Sequence, residues 1–282
     1  MRRTVAAAFV AASLLVSPGA GAQGEDLAAR IDRARVEDPA AFRSLRALVE
    51  RVGAAPLRAD RLRTLAGELR VLGEGGLYPM LALLQPGAKE LAAVREAHPA
   101  RAARLEALLL DAVGRLRDPA AIPTLRAALV RDEAEVAQAA ARGLGRMCRD
   151  EDVAFLAANG SAAATEGLGF CRTVAVGRLL RERLHGDRLA AVRAAGQWGS
   201  SWAWQALGPE ASAASAAVRS EMVRDFVAGF PAAEGELARA IVRAILLLDR
   251  PETPALVEAL RATAPEAATQ LRARWERAHR KR

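Results

Sequence analysis

An internal repeat constrains this 282-residue chain more than any other feature. Between Leu105 and Leu116 apolar residues recur at the i, i+3, i+4, i+7 spacing of a buried helical stripe. A shift of 31 residues carries Leu105 onto Val136, Leu108 onto Ala139, Val113 onto Leu144, Gly114 onto Gly145 and Leu116 onto Met147. Past the turn it carries Ile122 onto Val153 and Leu125 onto Leu156. A shift of 132 carries Leu105 onto Leu237, Leu109 onto Ile241, Val113 onto Ile245, Leu116 onto Leu248 and Pro119 onto Pro251. After a one-residue deletion Pro123, Leu125 and Leu129 meet Pro254, Leu256 and Leu260. Weaker copies stand at Leu77-Tyr78-Pro79-Met80-Leu81 and at Gly196-Gln197-Trp198.

One unit is readable in physical terms. A helix ends near Leu116, and Arg117-Asp118-Pro119 turns the chain, with Asp118 suited to cap and Pro119 to the first helical position. A short helix carrying Ile122, Leu125 and Leu129 follows, and Arg131-Asp132 turns again. Each unit is therefore an antiparallel helix pair with one apolar face, which only a stacked neighbour can cover. The expected fold is all-α, an irregular α-solenoid of roughly six to eight such pairs. Sixteen helical spans are expected, from 25–36 to 265–280, among them one continuous helix over 161–184. Thr263-Ala264-Pro265-Glu266 reads as a capping-box start for the last. Composition agrees: 52% of residues are apolar and only 4% aromatic, and Ala is roughly a quarter. That excludes whole-chain disorder and fits an aromatic-rich sandwich poorly.

The segment Ala112 to Met147 resembles HEAT-like repeats of the phycobilin-lyase type. Gly114, Leu116, Asp118, Pro119, Ala121, Ile122, Pro123 and Leu125 carry the resemblance, with Gly143 to Met147. It is clearest over 105–156 and 237–262. The resemblance implies a HEAT-like superhelix and a scaffold role, in an exported bacterial member. The motif specifies packing positions and no catalytic residue, so it implies no activity.

The N-terminus reads as an address. Met1-Arg2-Arg3 is basic, Val5 to Val16 is small and apolar, and Ala20 and Ala22 form an A-x-A cleavage pattern. Cleavage is expected after Ala22, giving a mature domain of residues 23–282, a single solenoid, in the periplasm. The apolar run is too short to span a bilayer. The formal charge of +8 rests almost wholly on Arg, much of it interleaved with Asp and Glu as on a solvated helical face. An exported chain meets no chromosomal DNA, so nucleic acid is not an expected partner.

Chemistry-bearing residues are few. His98, His185 and His279 are far apart, and none has a second His or Cys at ligand spacing, so no metal or cofactor is expected. Cys148 and Cys171 are expected as free buried thiols: with 161–184 a single helix, the 31-residue register sets Cys171 against residue 140, eight residues from Cys148. That is about 12 Å along the axis, beyond disulfide reach. Trp198, Trp202 and Trp204 fall within seven positions. They are either core volume in an Ala-rich chain or an aromatic patch that anchors a partner. The last helix sets Ala268, Leu271, Trp275 and Ala278 on one stripe, and Arg272, Arg274, Arg277, Arg280, Lys281 and Arg282 over the rest. The stripe is expected to cap the solenoid end; the basic face suits an anionic surface.

The function expected is an exported, non-enzymatic scaffold that holds a protein or peptide along a groove lined by one helix of each pair. Two rival readings remain open at this point. One is an anionic-membrane-surface protein using the last helix, and the other a HEAT-like lyase-type enzyme.

Overall fold

Ala, Leu and Arg are all strong helix formers, and the fold is helical. The computed structural model describes residues 26–54 and 59–280, with side chains over 26–52 and 64–280. The signal-like residues 1–22 lie outside the described residues. Among those described there is no strand. The α-helices are α1 (Leu27–Glu37), α2 (Pro39–Ala54), α3 (Ala59–Val71), α4 (Leu77–Leu84), α5 (Lys89–Ala97), α6 (Pro99–Leu116), α7 (Ile122–Leu129), α8 (Ala134–Met147) and α9 (Asp150–Asn159). They continue as α10 (Ala162–Leu168), α11 (Val174–Glu182), α12 (Arg188–Trp198), α13 (Ser201–Gln205), α14 (Pro209–Gly229), α15 (Gly235–Leu248), α16 (Thr253–Leu260) and α17 (Pro265–His279).

Packing follows the repeat. Helices α4, α6, α8, α10, α12, α15 and α17 each pack on the next, and shorter helices lie against this row: α5 on α6, α7 and α9 on α8, α14 on α15. Of the residues matched by the 132-residue shift, Leu105 is buried and Leu237 only half-buried, whereas two pairs share full burial, Leu109 with Ile241 and Val113 with Ile245. Each such side chain stabilises by about 2 kcal/mol through burial. The turns repeat as well. Arg117, Cys148 and Asp249 all adopt left-handed backbone at the ends of α6, α8 and α15, and they are 31 and 132 residues apart. Asp118 caps as expected, its carboxylate accepting from the Ala120 amide at 2.8 Å, and Pro119 opens the turn that follows.

The row is closely set because small residues meet across it. A Cβ on Gly114 would overlap Gly143, and one on Gly145 would overlap the Gly167 carbonyl. Gly169 meets Ala194, and Gly196 meets Ala244, where an added Cβ would lie 2.9 Å from the Ala244 Cα. Ion pairs lie over these contacts. Asp111 on α6 accepts from Arg115 at 2.9 Å and pairs with Arg142 and Arg146 of α8 at 3.4 and 3.0 Å. Buried Glu106 joins α6 to Arg95, at 2.9 Å, and to Arg131.

Three expectations are corrected. The span 161–184 is not one helix: α10 ends at Leu168, residues 169–173 form a turn, and Thr173 caps α11 through the Val176 amide. The turn brings Cys171 to the same end of the row as Cys148, with Cα atoms 4.9 Å apart, and the two form a disulfide. The free-thiol expectation failed because its register assumed an unbroken helix. Thr263 does not cap the last helix either. Ala264 occupies the cap position of α17, and the Thr263 hydroxyl instead donates to the Leu260 carbonyl at 3.3 Å.

Candidate functional site

Residues four apart share one face of a helix. Four helices of the row each present such a pair to a common groove: Gln138 and Arg142 on α8, Glu166 on α10 with Phe170 just beyond its end, Arg193 and Gln197 on α12, Arg239 and Arg243 on α15. The groove encloses about 520 Å³. Its floor is made of Ala194, Gly196, Ala240 and Ala244. Small floor residues let the helices approach, and the long side chains then stand as walls.

The walls are basic. Arg193 reaches across the groove to Glu166 at 3.3 Å and Glu236 at 3.1 Å, tying α10, α12 and α15 together. Arg142 is held back by Asp111 on α6. Burial alone would raise the Asp111 carboxyl, but Arg146 and Arg115 outweigh it and hold the carboxyl below its ordinary value. Burial lowers the Arg146 guanidinium, against the pull of Asp111. Arg239 and Arg243 are exposed and have no ion-pair or hydrogen-bond partner among the described residues. The groove therefore offers two unpaired cations, a polar rim and an apolar floor.

The aromatic cluster lies elsewhere. Trp198 and Trp204 are 0% and 2% exposed, with rings edge to face and centroids 5.2 Å apart. The Trp198 indole donates to the Thr173 carbonyl at 2.9 Å, and the Trp204 indole to the Trp198 carbonyl at 2.7 Å. Gly177 leaves the space that the Trp198 ring fills. Trp202 alone is exposed, at 77%. The three therefore do not make a surface patch: two fill core volume, as large rings do beside small neighbours.

Of the C-terminal stripe, Ala268 and Leu271 are buried and Trp275 and Ala278 half-buried, with α17 lying on α15 and α16. Its basic face is partly neutralised. Arg272 pairs with Glu276 at 2.9 Å and Glu258 at 3.0 Å, and Arg280 with Glu276 at 3.7 Å. Arg274 and Arg277 are exposed without such partners, and Lys281 and Arg282 lie outside the described residues. His98 and His185 are exposed, whereas His279 stacks on Trp275 and bonds Asp249 at 2.8 Å. Among the described residues no three His, Cys, Asp or Glu are grouped to hold a metal ion. No helix among them is long and apolar enough to cross a membrane.

Sequence reading expected a groove along the row but missed its residues. The signal was the repeat register itself. Shifts of 31 and 132 carry Asp111 onto Arg142 and Arg243, and Ala107 onto Gln138 and Arg239. Those two columns supply the groove wall on α8 and α15. Compared with protein-family models, curated proteins and solved structures, the chain matches none of them.

Proposed function

We propose that the chain is an exported HEAT-like α-solenoid that holds an acidic segment of a protein partner in the groove across α8, α10, α12 and α15. It acts by binding and performs no chemistry of its own. The observation that carries this reading is the pair Arg239 and Arg243, two exposed cations without partners above an apolar floor. Cations so placed attract carboxylates and raise the association rate, while the floor supplies contact area for apolar side chains between them. Export is supported by the pattern of residues 1–22 and by the disulfide, since disulfides persist in oxidising compartments.

The test uses residues 23–282 as bait in crosslinking capture from envelope extract, followed by fluorescence anisotropy with acidic peptides from the captured protein. The double variant R239E/R243E, shown to be folded by circular dichroism, is the comparison. Charge reversal is expected to weaken peptide binding at least about tenfold, and added salt to weaken wild-type binding. Equal binding by both proteins, or salt-insensitive binding, would overturn the groove assignment.

A further inference from the structure

Arg219 is 3% exposed, yet no carboxylate among the described residues stands within ion-pair distance of it. Its Nη2 donates to the Ser212 carbonyl at 3.0 Å and to the Ser212 hydroxyl at 3.2 Å, one face of α14 bonding back on itself. Its Nε is buried and has no partner. A buried cation satisfied only by neutral oxygens is costly, because the desolvation penalty goes unmatched by an opposite charge. Burial lowers the Arg219 guanidinium, and neighbouring Arg250 adds to the effect against an opposing pull from Glu252.

Arg219 lines a shallow, open depression of about 550 Å³ with Arg250, Ser212 and Gln205, between α13, α14 and the turn that joins α15 to α16. Arg250 is positioned by the Ser220 hydroxyl at 3.2 Å and the Glu252 carboxylate at 3.3 Å. The local charges are two guanidiniums and one carboxylate, so one positive charge is left over. A single oxyanion group would cancel it, and the planar fork of Arg suits both carboxylate and phosphate oxygens.

We infer that the recess formed by Arg219, Arg250 and Ser212 binds one oxyanion group, a carboxylate or a phosphate. The site is separate from the α8–α15 groove and does not depend on the function proposed for it.

The test is thermal unfolding of residues 23–282 in Tris-chloride, titrated with inorganic phosphate or with acetate against sodium chloride at equal ionic strength. Wild type is expected to show a saturable rise in Tm of about 2–4 °C. A response to phosphate alone names phosphate as the ligand group, to acetate alone a carboxylate, and to both an unselective oxyanion site. Arg219→Met is expected to abolish the rise while unfolding no lower than wild type in anion-free buffer, since it removes an uncompensated charge. Arg219→Lys keeps the charge, loses the fork, and is expected to raise the half-saturating anion concentration about tenfold. Phosphate excluded from protein surfaces stabilises every variant alike, so the difference from wild type is the readout. No saturable rise, or the same half-saturation in Arg219→Lys as in wild type, would overturn the proposal even if Arg219→Met fails to fold.

Discussion

Arg117, Cys148 and Asp249 turn left-handed, with φ of 55°, 55° and 49°, where glycine is the usual choice. A side chain there crowds the following carbonyl. Arg117 is exposed, and its charge lowers the half-buried guanidinium of Arg172, though burial of that group is the larger cause. Arg117→Gly is expected to stabilise the fold by about 0.5–1 kcal/mol, read as a rise in the denaturant midpoint at unchanged slope. A lower midpoint would mean that Arg117 makes a contact worth more than its strain. Single residues were unevenly legible. Asp118 declared its cap because the cap is local. Core volume was one of the two readings of the tryptophans, but which of the three would fill it was not legible, because the seat of Trp198 depends on Gly177 of another helix leaving room for its ring.

Helix α8 shows what an element requires. It packs on α6, α7, α9 and α10, and its buried residues are Val136, Ala137, Ala139, Ala140, Ala141, Gly143, Leu144 and Gly145. A helix covered on so many sides must be narrow, which explains the alanines and glycines. Gly145→Ala is expected to destabilise by about 2–3 kcal/mol, because its Cβ meets a backbone carbonyl that has no rotamer to yield. Gly67→Ala on α3, where nothing lies within 4 Å, is expected to stabilise by about 0.5–1 kcal/mol instead. Chemical denaturation of the two variants beside wild type separates them, and equal effects would remove the close-packing account. Helix boundaries were mostly visible in advance from caps and periodicity. The division of 161–184 was not, because in the sequence Gly167 and Gly169 are simply two small residues. Their role as contacts to α8 and α12 exists only once those helices are in place.

At the scale of the molecule, the Cys148–Cys171 bond ties the end of α8 to the turn after α10 and closes a loop with a sequence separation of 23. Closing a loop of that length stabilises by about 3 kcal/mol through the entropy of the unfolded chain. Reduction with dithiothreitol, or the double variant C148A/C171A, is expected to lower unfolding stability by about 2–4 kcal/mol while circular dichroism still reports a helical chain. Unchanged stability would show that packing of α8 on α10 holds this junction alone. The helical character of the chain, the bounds of most helices and the inward face of its clearest repeats could be read from the residues alone. Those properties follow from spacing within one element and from turns a few residues long. The disulfide, the choice of Trp198 and Trp204 as core, the open groove at Arg239 and Arg243 and the lone charge of Arg219 arose only when the helices packed. Each depends on the distance between elements far apart in the chain, and a periodic pattern specifies which face a residue takes without specifying what stands opposite it.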